Sequence, residues 1–264
     1  MMNLGEFKNQ PLTDFSDLEN RQAMSNAIAK VRSQLGREYN IIIGGKPVRC
    51  ESQFQSLNPS RKGEVVGVFP KGTREFVEWA ISAAGEAFQH WSRLPAPERV
   101  ESMMRVSQIM KERRLELAAW MVVEVGKSWV EADADVAEAI DFCEFYSREM
   151  LRLAGPQPLV KLESEDNALE YIPLGVGVII SPWNFPLAIL SGMTFAALVS
   201  GNTVIVKPSS DSPTIAAQLM QIFEEVRFPP GVVNFLTGSG EEIGDALVEH
   251  PRTRFIAFTG SKQV

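Results

Sequence analysis

Residues 175–181 read Gly-Val-Gly-Val-Ile-Ile-Ser, and residues 203–207 read Thr-Val-Ile-Val-Lys. Both runs are short, continuous and rich in β-branched residues, a pattern typical of strands buried on both faces of a parallel sheet. Two runs of the same kind follow, at residues 232–236 and 255–258. Between the second and third runs, residues 212–227 have helical apolar spacing. This alternation predicts an α/β fold with a Rossmann-like parallel sheet flanked by helices.

Upstream of these runs the pattern is mostly helical. Residues 1–39 are predicted to form an N-terminal helical extension, with Asp14 or Ser16 as the residue that caps its helix. Residues 73–153 also have helical apolar spacing, which prolines and a glycine interrupt. Within them, the acidic run at residues 131–144 is interpreted as a solvated helix face.

The pattern changes near residue 157. Two extended stretches joined by polar residues predict a β-hairpin over about residues 157–172. Residues 40–264 are expected to form one domain that contains this hairpin. Its last apolar run leads into Thr-Gly-Ser at residues 259–261, where a covering helix should follow. We therefore expect the last strand to have one uncovered face, and the domain to be incomplete at its C-terminal end.

Composition excludes several classes of function. Lys and Arg number 26 against 33 Asp and Glu, and the net charge of −7 disfavours a nucleic-acid or anionic-membrane partner. Cys50 and Cys143 are too few for a disulfide framework, and His90 and His250 are isolated, so no metal site is expected. The sequence has neither a secretory signal nor an apolar run long enough to span a bilayer. We predict a soluble, cytoplasmic protein.

Ligands of open α/β sheets bind at the carboxyl ends of the strands. The four predicted strand ends all carry glycine, proline or small hydroxyl residues, at residues 181–186, 207–210, 238–244 and 258–261. Together they predict a crevice for a phosphorylated ligand with a flat ring.

Three features of this crevice each have a chemical and a structural interpretation. Gly238, Gly240 and Gly244 form a GxGxxxG pattern, which suits either a phosphate contact or a tight turn. Lys207 either reaches a ribose hydroxyl or phosphate, or lies in solvent. Asn184 either donates its side-chain amide to a developing oxyanion or only shapes a turn.

Four strings in this part of the chain resemble elements of the aldehyde dehydrogenase superfamily, in the same order and spacing. Residues 179–186 resemble its PWNFP segment, and residues 201–209 resemble its GNTVVxKP strand. Residues 229–234 and 258–261 resemble its PxGVxN and FTGS elements. Within the superfamily, the N-terminal extension and the acidic helix resemble those of L-glutamate γ-semialdehyde (1-pyrroline-5-carboxylate) dehydrogenases. This chain would correspond to their N-terminal half.

The resemblance implies roles for individual residues. Asn184 would donate to the oxyanion of a thiohemiacetal, Phe185 would border the aldehyde, and Glu138 would lie beside the substrate tunnel. Lys207 would bond the adenosine ribose, and Ser261 would lie at a helix N-terminus against the pyrophosphate. The other implied cofactor contacts are Ile180, Ser181, Pro182, Trp183, Ser209, Ser210, Gly240, Gly244, Phe258, Thr259, Gly260 and Val264.

The implied activity is the NAD-dependent oxidation of an aldehyde, expected to be L-glutamate γ-semialdehyde, in a homo-oligomer to which the hairpin contributes. Many family members have an acidic residue three positions after the lysine that selects NAD. Ser210 stands there in this chain, which leaves NADP open. The family's nucleophilic cysteine and water-activating glutamate follow the FTGS element. We therefore expect a cofactor-binding half that lacks the catalytic domain and is inactive alone.

Two other interpretations remain open at this point. One is a non-catalytic nucleotide-binding or assembly module. The other is an acylating or phosphate-dependent reductase of the same superfamily.

Overall fold

The structure, a computed structural model, describes residues 4–262. The first part of the chain contains α1 (Leu18–Arg32), β1 (Arg37–Glu38), β2 (Ile41–Ile43), β3 (Lys46–Val48), β4 (Gln53–Leu57) and β5 (Val65–Pro70). A helical part follows, with α2 (Arg74–Trp91), α3 (Ala96–Glu112), α4 (Arg114–Glu124) and α5 (Trp129–Leu153). The last part alternates: β6 (Val176–Ile180), α6 (Ala188–Val199), β7 (Thr203–Lys207), α7 (Pro213–Val226), β8 (Val233–Phe235), a π-helical turn (Gly240–Gly244), α8 (Asp245–Val248) and β9 (Thr253–Phe258).

The described strands form two sheets. The smaller has the order β1-β5-β4, and the larger has the order β3-β2-β8-β7-β6-β9. Strands β8, β7, β6 and β9 are parallel, while β2 runs antiparallel to both β8 and β3. The predicted α/β class and parallel sheet are confirmed, with an additional antiparallel edge formed by β2 and β3. Every residue of β7 is buried, as its unbroken apolar run predicts.

The last strand, β9, differs from the other parallel strands in its exposure. Its residues alternate between half-buried and exposed, and Ile256 and Phe258 are each 43% exposed. The expected uncovered face of this strand is therefore present.

An N-terminal arm, residues 4–17, lies along α5. The Thr13 N–H and hydroxyl donate to Asp133 at 2.7 and 2.8 Å, and the Gln10 N–H donates to Asp141 at 2.8 Å. Arg148, also on α5, donates to backbone carbonyls of the arm. These contacts attach the arm to the domain that follows it.

The predicted extension, residues 1–39, is joined to the rest of the fold. Met24 and Val31 of α1 pack in the same core as α3 to α7, and β1 pairs with β5. The boundary between residues 39 and 40 therefore separates no independent core.

The predicted cap of α1 was wrong. Asp17, not Asp14 or Ser16, is the N-cap, and its carboxylate accepts from the N–H of Glu19 at 2.7 Å. Asp14 instead accepts hydrogen bonds from Ser16 in the turn before the helix. Asp14, Ser16 and Asp17 are all of residue types that commonly cap helices. Which of them is the N-cap therefore depends on where the arm ends and the helix begins.

The hairpin predicted over residues 157–172 is also corrected. A single antiparallel bridge joins Leu162 to Glu165, and the flanking stretches are extended without pairing to each other. An isolated two-stranded ladder is marginally stable because no second layer covers its apolar face. The segment exposes many large apolar side chains: Leu159, Val160, Leu162, Leu169, Tyr171 and Ile172.

The interpretation of residues 131–144 as a solvated face was wrong for three carboxylates. Asp133, Asp135 and Glu144 are buried in α5. Each forms an ion pair with a basic residue of another element or connection: Arg114 at 2.6 Å, Lys127 at 2.8 Å and Lys111 at 2.5 Å, respectively. Helix α5 packs against α3, α4 and α6, so the carboxylates face protein and require these partners.

Within residues 4–262, no helix is both long and apolar enough to cross a membrane.

Candidate functional site

Three of the predicted strand ends lie side by side at one edge of the larger sheet. Ile180 of β6 is in register with Lys207 of β7 on one side and with Phe258 of β9 on the other. Neighbouring strands are about 4.8 Å apart. Beyond this rung, the Ser181 N–H donates to the Lys207 carbonyl and the Thr259 N–H donates to the Ile180 carbonyl. The topology thus brings together the segments that carry most of the predicted cofactor residues.

The fourth strand end joins the same edge. Val206 of β7 is in register with Phe235 of β8, and the Leu236 N–H donates to the Val206 carbonyl at 3.0 Å. The glycine-containing turn at residues 238–244 follows directly. All four ends therefore lie at one edge of the sheet, where the sequence predicts a crevice.

Lys207 is the most unusual charge in this crevice. Its side chain is buried, with a residue exposure of 7%, and it makes no hydrogen bond or ion pair with any residue that the structure describes. Burial lowers the pKa of its ammonium group. A buried cation without a counter-charge is costly unless a ligand supplies oxygen atoms. A largely buried side chain without a described partner is compatible with binding hydroxyl or phosphate oxygens, and that role of Lys207 stays a prediction.

The three glycines of the GxGxxxG pattern have different environments. Gly238 is buried at φ +155°, and a Cβ there would lie 3.0 Å from Ile243 and 3.2 Å from the Gly72 nitrogen. It therefore serves close packing. Gly240 has open space around it, and a Cβ at Gly244 would lie 3.9 Å from Lys207 Cε. Neither of these two positions is therefore closed to a side chain, and only Gly244 lies beside the lysine.

The segment between β6 and α6 presents three exposed side chains, Trp183, Asn184 and Phe185. The side-chain oxygen of Asn184, Oδ1, accepts a hydrogen bond from the Phe185 N–H at 3.1 Å. Its Nδ2 group has no partner within residues 4–262. The side-chain oxygen of Asn184 is therefore engaged, and its Nδ2 donor is free among the described residues.

The Ser209–Ser210 segment borders a cavity of about 360 Å³ beside Trp183. The Ser209 oxygen accepts from the Asp211 N–H, and the Ser210 hydroxyl donates to the Gly238 carbonyl at 3.4 Å. Ser210 thus connects the ends of β7 and β8 without adding a negative charge.

Glu124 lines the same cavity and was not predicted from the sequence. Its carboxylate is buried and accepts from the Ser56 hydroxyl and from the N–H groups of Thr214 and Ile215. Burial raises its pKa, and these hydrogen bonds oppose the rise. A single acid within the apolar stretch at residues 117–125 was the available signal.

The predicted substrate residues, Glu138 and Phe185, both lie near Lys127. The Lys127 Nζ is 4.1 Å from the centroid of the Phe185 ring. Burial and the charges of Asp135 and Asp141 raise the pKa of Glu138, while Lys127 opposes this rise. Glu138 itself is exposed on α5. The two residues are thus linked through one ammonium group.

The remaining predicted cofactor residues make few contacts that bear on the site. Pro182 is half-buried beside the rung, and Thr259, Gly260 and Ser261 are exposed after β9. Val264 lies outside the described residues. A larger cavity, of about 560 Å³, lies at the carboxyl end of α7 and contains none of the predicted site residues.

Neither cysteine lies in the crevice. The buried Cys143 thiol donates to the Met103 carbonyl at 3.1 Å, and burial raises its pKa. The Cys50 thiol contacts the carbonyls of Ser52 and Lys71. Among the described residues, no group of three or more histidine, cysteine or acidic side chains is arranged to hold a metal ion.

Residues 48–264 match the Aldehyde dehydrogenase family. The chain belongs to this family. A 1-pyrroline-5-carboxylate dehydrogenase of Geobacillus thermodenitrificans is 51% identical over 258 residues, which are 98% of this chain and 50% of the relative. This aldehyde dehydrogenase chain therefore spans about half the length of the curated relatives it matches.

Solved structures of the family have the same fold as this chain. A Thermus 1-pyrroline-5-carboxylate dehydrogenase with bound NAD is 48% identical, with a TM-score of 0.95 over 98% of this chain and 51% of that one. A Mycobacterium tuberculosis Δ-pyrroline-5-carboxylate dehydrogenase bound with NAD is 28% identical, with a TM-score of 0.91 over all of this chain and 50% of that one.

Proposed function

We propose that this chain is the cofactor-binding half of an aldehyde dehydrogenase that uses NAD, with NADP as an alternative cofactor. The expected reaction oxidises L-glutamate γ-semialdehyde to L-glutamate in proline catabolism. The main supporting observation is the rung of Ile180, Lys207 and Phe258, in which the largely buried lysine side chain has no described protein partner. The similarity to 1-pyrroline-5-carboxylate dehydrogenases supports the choice of aldehyde.

The residues of the crevice fit a dinucleotide. Lys207 donates to hydroxyl groups of the adenosine ribose, because its side chain has no described partner and lies beside Gly244, where a Cβ would be 3.9 Å from Lys207 Cε. Ser209 and Ser210 flank the same ribose, and Ser261 meets the pyrophosphate. Ile180, Ser181, Pro182 and Trp183 line the nicotinamide side, opposite Phe258, Thr259 and Gly260. When bound, NAD supplies the acceptor for the hydride that leaves the aldehyde carbon.

Asn184 is proposed to be the catalytic residue that this chain contributes. Its free Nδ2 group donates to the oxygen of the aldehyde as negative charge develops there. Phe185 borders the aldehyde, and Glu138 lies beside its path. The nucleophilic thiolate is expected from a segment other than those that hold Cys50 and Cys143, since neither lies in the crevice. This chain alone is therefore expected to bind cofactor without turnover.

The assembly is proposed to be a homo-oligomer in the cytoplasm. The segment at residues 157–172 is extended and exposes Val160 and Ile172 at 82% and 78%. Pairing with a strand of a second copy would cover these side chains and satisfy the segment's backbone groups. Size measured by light scattering tests this, and a monomer at micromolar concentration would contradict it.

Calorimetric titration of the chain with NAD and NADP tests the cofactor proposal. We expect binding that Lys207→Met abolishes, with Lys30→Met as the control because Lys30 lies on α1, outside the crevice. Absence of binding would refute a cofactor site. Oxidation of the semialdehyde by the same chain extended with a catalytic half would establish the enzyme. Binding without oxidation in the extended protein would favour the nucleotide-binding or assembly module.

A further inference from the structure

A buried ion pair stands directly behind the segment that carries Asn184. The Lys127 Nζ lies 2.8 Å from Asp135 Oδ2, with side-chain exposures of 10% and 0%. Through its other oxygen, Asp135 accepts a 2.6 Å hydrogen bond from the Ala188 N–H, the first residue of α6. Through its ammonium, Lys127 lies 4.1 Å from the Phe185 ring centroid. One ion pair therefore contacts the segment on both sides of Pro186.

Helix α6 has no cap of its own. Its N-cap residue is Leu187, whose side chain makes no capping hydrogen bond. The Asp135 carboxylate, from α5, replaces the missing cap, because an anion is favoured at a helix N-terminus. The position at which α6 begins is therefore set by a different helix.

The side chains of residues 183–185 have few other constraints, whereas Pro186 and Leu187, which follow them, are buried. Trp183, Asn184 and Phe185 are all exposed, so core packing does little to fix their side chains. The cation–π contact from Lys127 is the charged contact that the structure gives to Phe185. Asn184 lies between the fixed end of β6 and this held ring. Its side-chain oxygen accepts from the Phe185 N–H at 3.1 Å, so the direction of the amide follows the backbone of the residue whose ring Lys127 contacts.

We propose that Lys127 and Asp135 are positioning residues that hold the Asn184 amide and the Phe185 ring in place for the aldehyde. A buried ion pair is a poor source of stability, since apolar residues of the same volume often stabilise a fold as well. A role in geometry explains its place behind the site. The expected effect on kcat rests on the proposed function. The expected effect on the structure of the segment does not.

The same helix offers a matched control. Asp133, two residues before Asp135 on α5, forms a second buried ion pair with Arg114. This pair contacts Thr13 of the N-terminal arm and not the segment before α6. In the protein extended with its catalytic half, Lys127→Met should lower kcat by about 10²-fold, the cost of misplacing a reacting group by about 1 Å. The KM for NAD should stay unchanged. Arg114→Met should lower Tm about as much as Lys127→Met does, but it should leave kcat unchanged. Lys127→Arg keeps the positive charge and should retain most of the wild-type kcat. Equal losses of kcat in the two Met variants would overturn the proposal.

Hydrogen exchange provides a readout that needs no activity. In this chain, Lys127→Met should accelerate amide exchange over residues 184–189, and Arg114→Met should not. Unchanged exchange over these residues would refute the positioning role whatever the kinetics show. If the extended wild-type protein oxidises no aldehyde, the proposed function fails, and the exchange comparison still decides whether the pair holds this segment.

Discussion

The carboxylate of Glu124 caps helix α7, because its Oε1 atom accepts a 2.7 Å hydrogen bond from the backbone N–H of Thr214. The second oxygen accepts from the Ile215 N–H at 2.8 Å, and the Ser56 hydroxyl donates to Oε1 as well. Helix α7 begins just after the Ser209–Ser210 segment of the crevice. Glu124 therefore fixes one wall of the crevice from a helix that is distant in sequence.

Replacing Glu124 with alanine should destabilise the fold strongly. The change leaves two buried N–H groups without a partner, each at about 1–3 kcal/mol. Urea denaturation should show a loss of about 2–6 kcal/mol in the free energy of unfolding. Glu124→Gln keeps a side-chain acceptor and should lose less. Equal losses in the two variants would show that the carboxylate is not the cap.

The pH dependence of stability should differ between wild type and Glu124→Gln. Burial raises the pKa of Glu124 above its ordinary value. The folded state therefore binds more protons than the unfolded state between those two values. The stability due to this group is fully present below the ordinary carboxyl pKa and is lost as pH rises through the raised one. Melting curves from pH 4 upward should show a steeper fall for wild type, whereas parallel curves would contradict this assignment.

Lys207→Met should stabilise the chain while it removes cofactor binding. The Lys207 side chain is largely buried without a described partner, burial disfavours its charged form, and methionine has a similar length without the charge. We expect Tm to rise by about 2–4 °C, the shift that about 1 kcal/mol produces in a domain of this size. Scanning calorimetry with and without NAD measures both effects. A lower Tm without ligand would show that the lysine has a structural partner.

The contribution of Lys207 to folding stability should change with pH in the opposite direction to that of Glu124. Burial lowers the pKa of Lys207, so the unfolded chain binds more protons in the window between the lowered value and 10.5. Its contribution to stability is therefore largest above the ordinary lysine pKa and is lost as pH falls through the lowered one. In Lys207→Met this dependence should vanish, and its persistence would assign it to another group.

Ser210→Glu should raise selectivity for NAD over NADP. Ser210 is exposed at the end of β7, next to the proposed ribose site. A carboxylate there would repel the 2′-phosphate of NADP and accept a hydrogen bond from the 2′-hydroxyl of NAD. The ratio of the two dissociation constants measures this, with Ser210→Gln as the uncharged control. An unchanged ratio in Ser210→Glu would show that another group discriminates between the cofactors.

Asn184→Ala should reduce turnover without weakening cofactor binding. In the extended enzyme we expect kcat to fall by about 10²–10³-fold, as for the loss of an oxyanion donor. The dissociation constant for NAD should stay near that of wild type, because the amide faces the aldehyde and not the nucleotide. A kcat close to that of wild type would remove Asn184 from the mechanism.

The strands and the crevice were predictable because local and global preferences agree there. The unbroken apolar run of β7 permits only a strand covered on both faces, and its observed bounds match the prediction. Once parallel strands are assigned, their carboxyl ends must share one edge, which brings Lys207 next to Ile180.

The acidic helix and the exposed segment could not be predicted in the same way. Asp133 and Asp135 have the spacing of solvated residues, and only their distant partners, Arg114 and Lys127, make burial tolerable. The stretches at residues 157–172 have strand-like composition, but a ladder needs a second surface that the segment does not meet within this chain. For the helix the deciding contacts are remote in sequence, and for the exposed segment the deciding contact is the proposed pairing with a second copy.

The attachment of the N-terminal arm has a consequence for biosynthesis. The acceptor for Thr13 is Asp133, 120 residues later, and the acceptor for Gln10 is Asp141, 131 residues later. At about 5–20 residues per second, a ribosome needs roughly 6–24 s to add that much chain. The arm is therefore synthesised first and docks late, and its two carboxylate anchors become available only after α5 has left the exit tunnel.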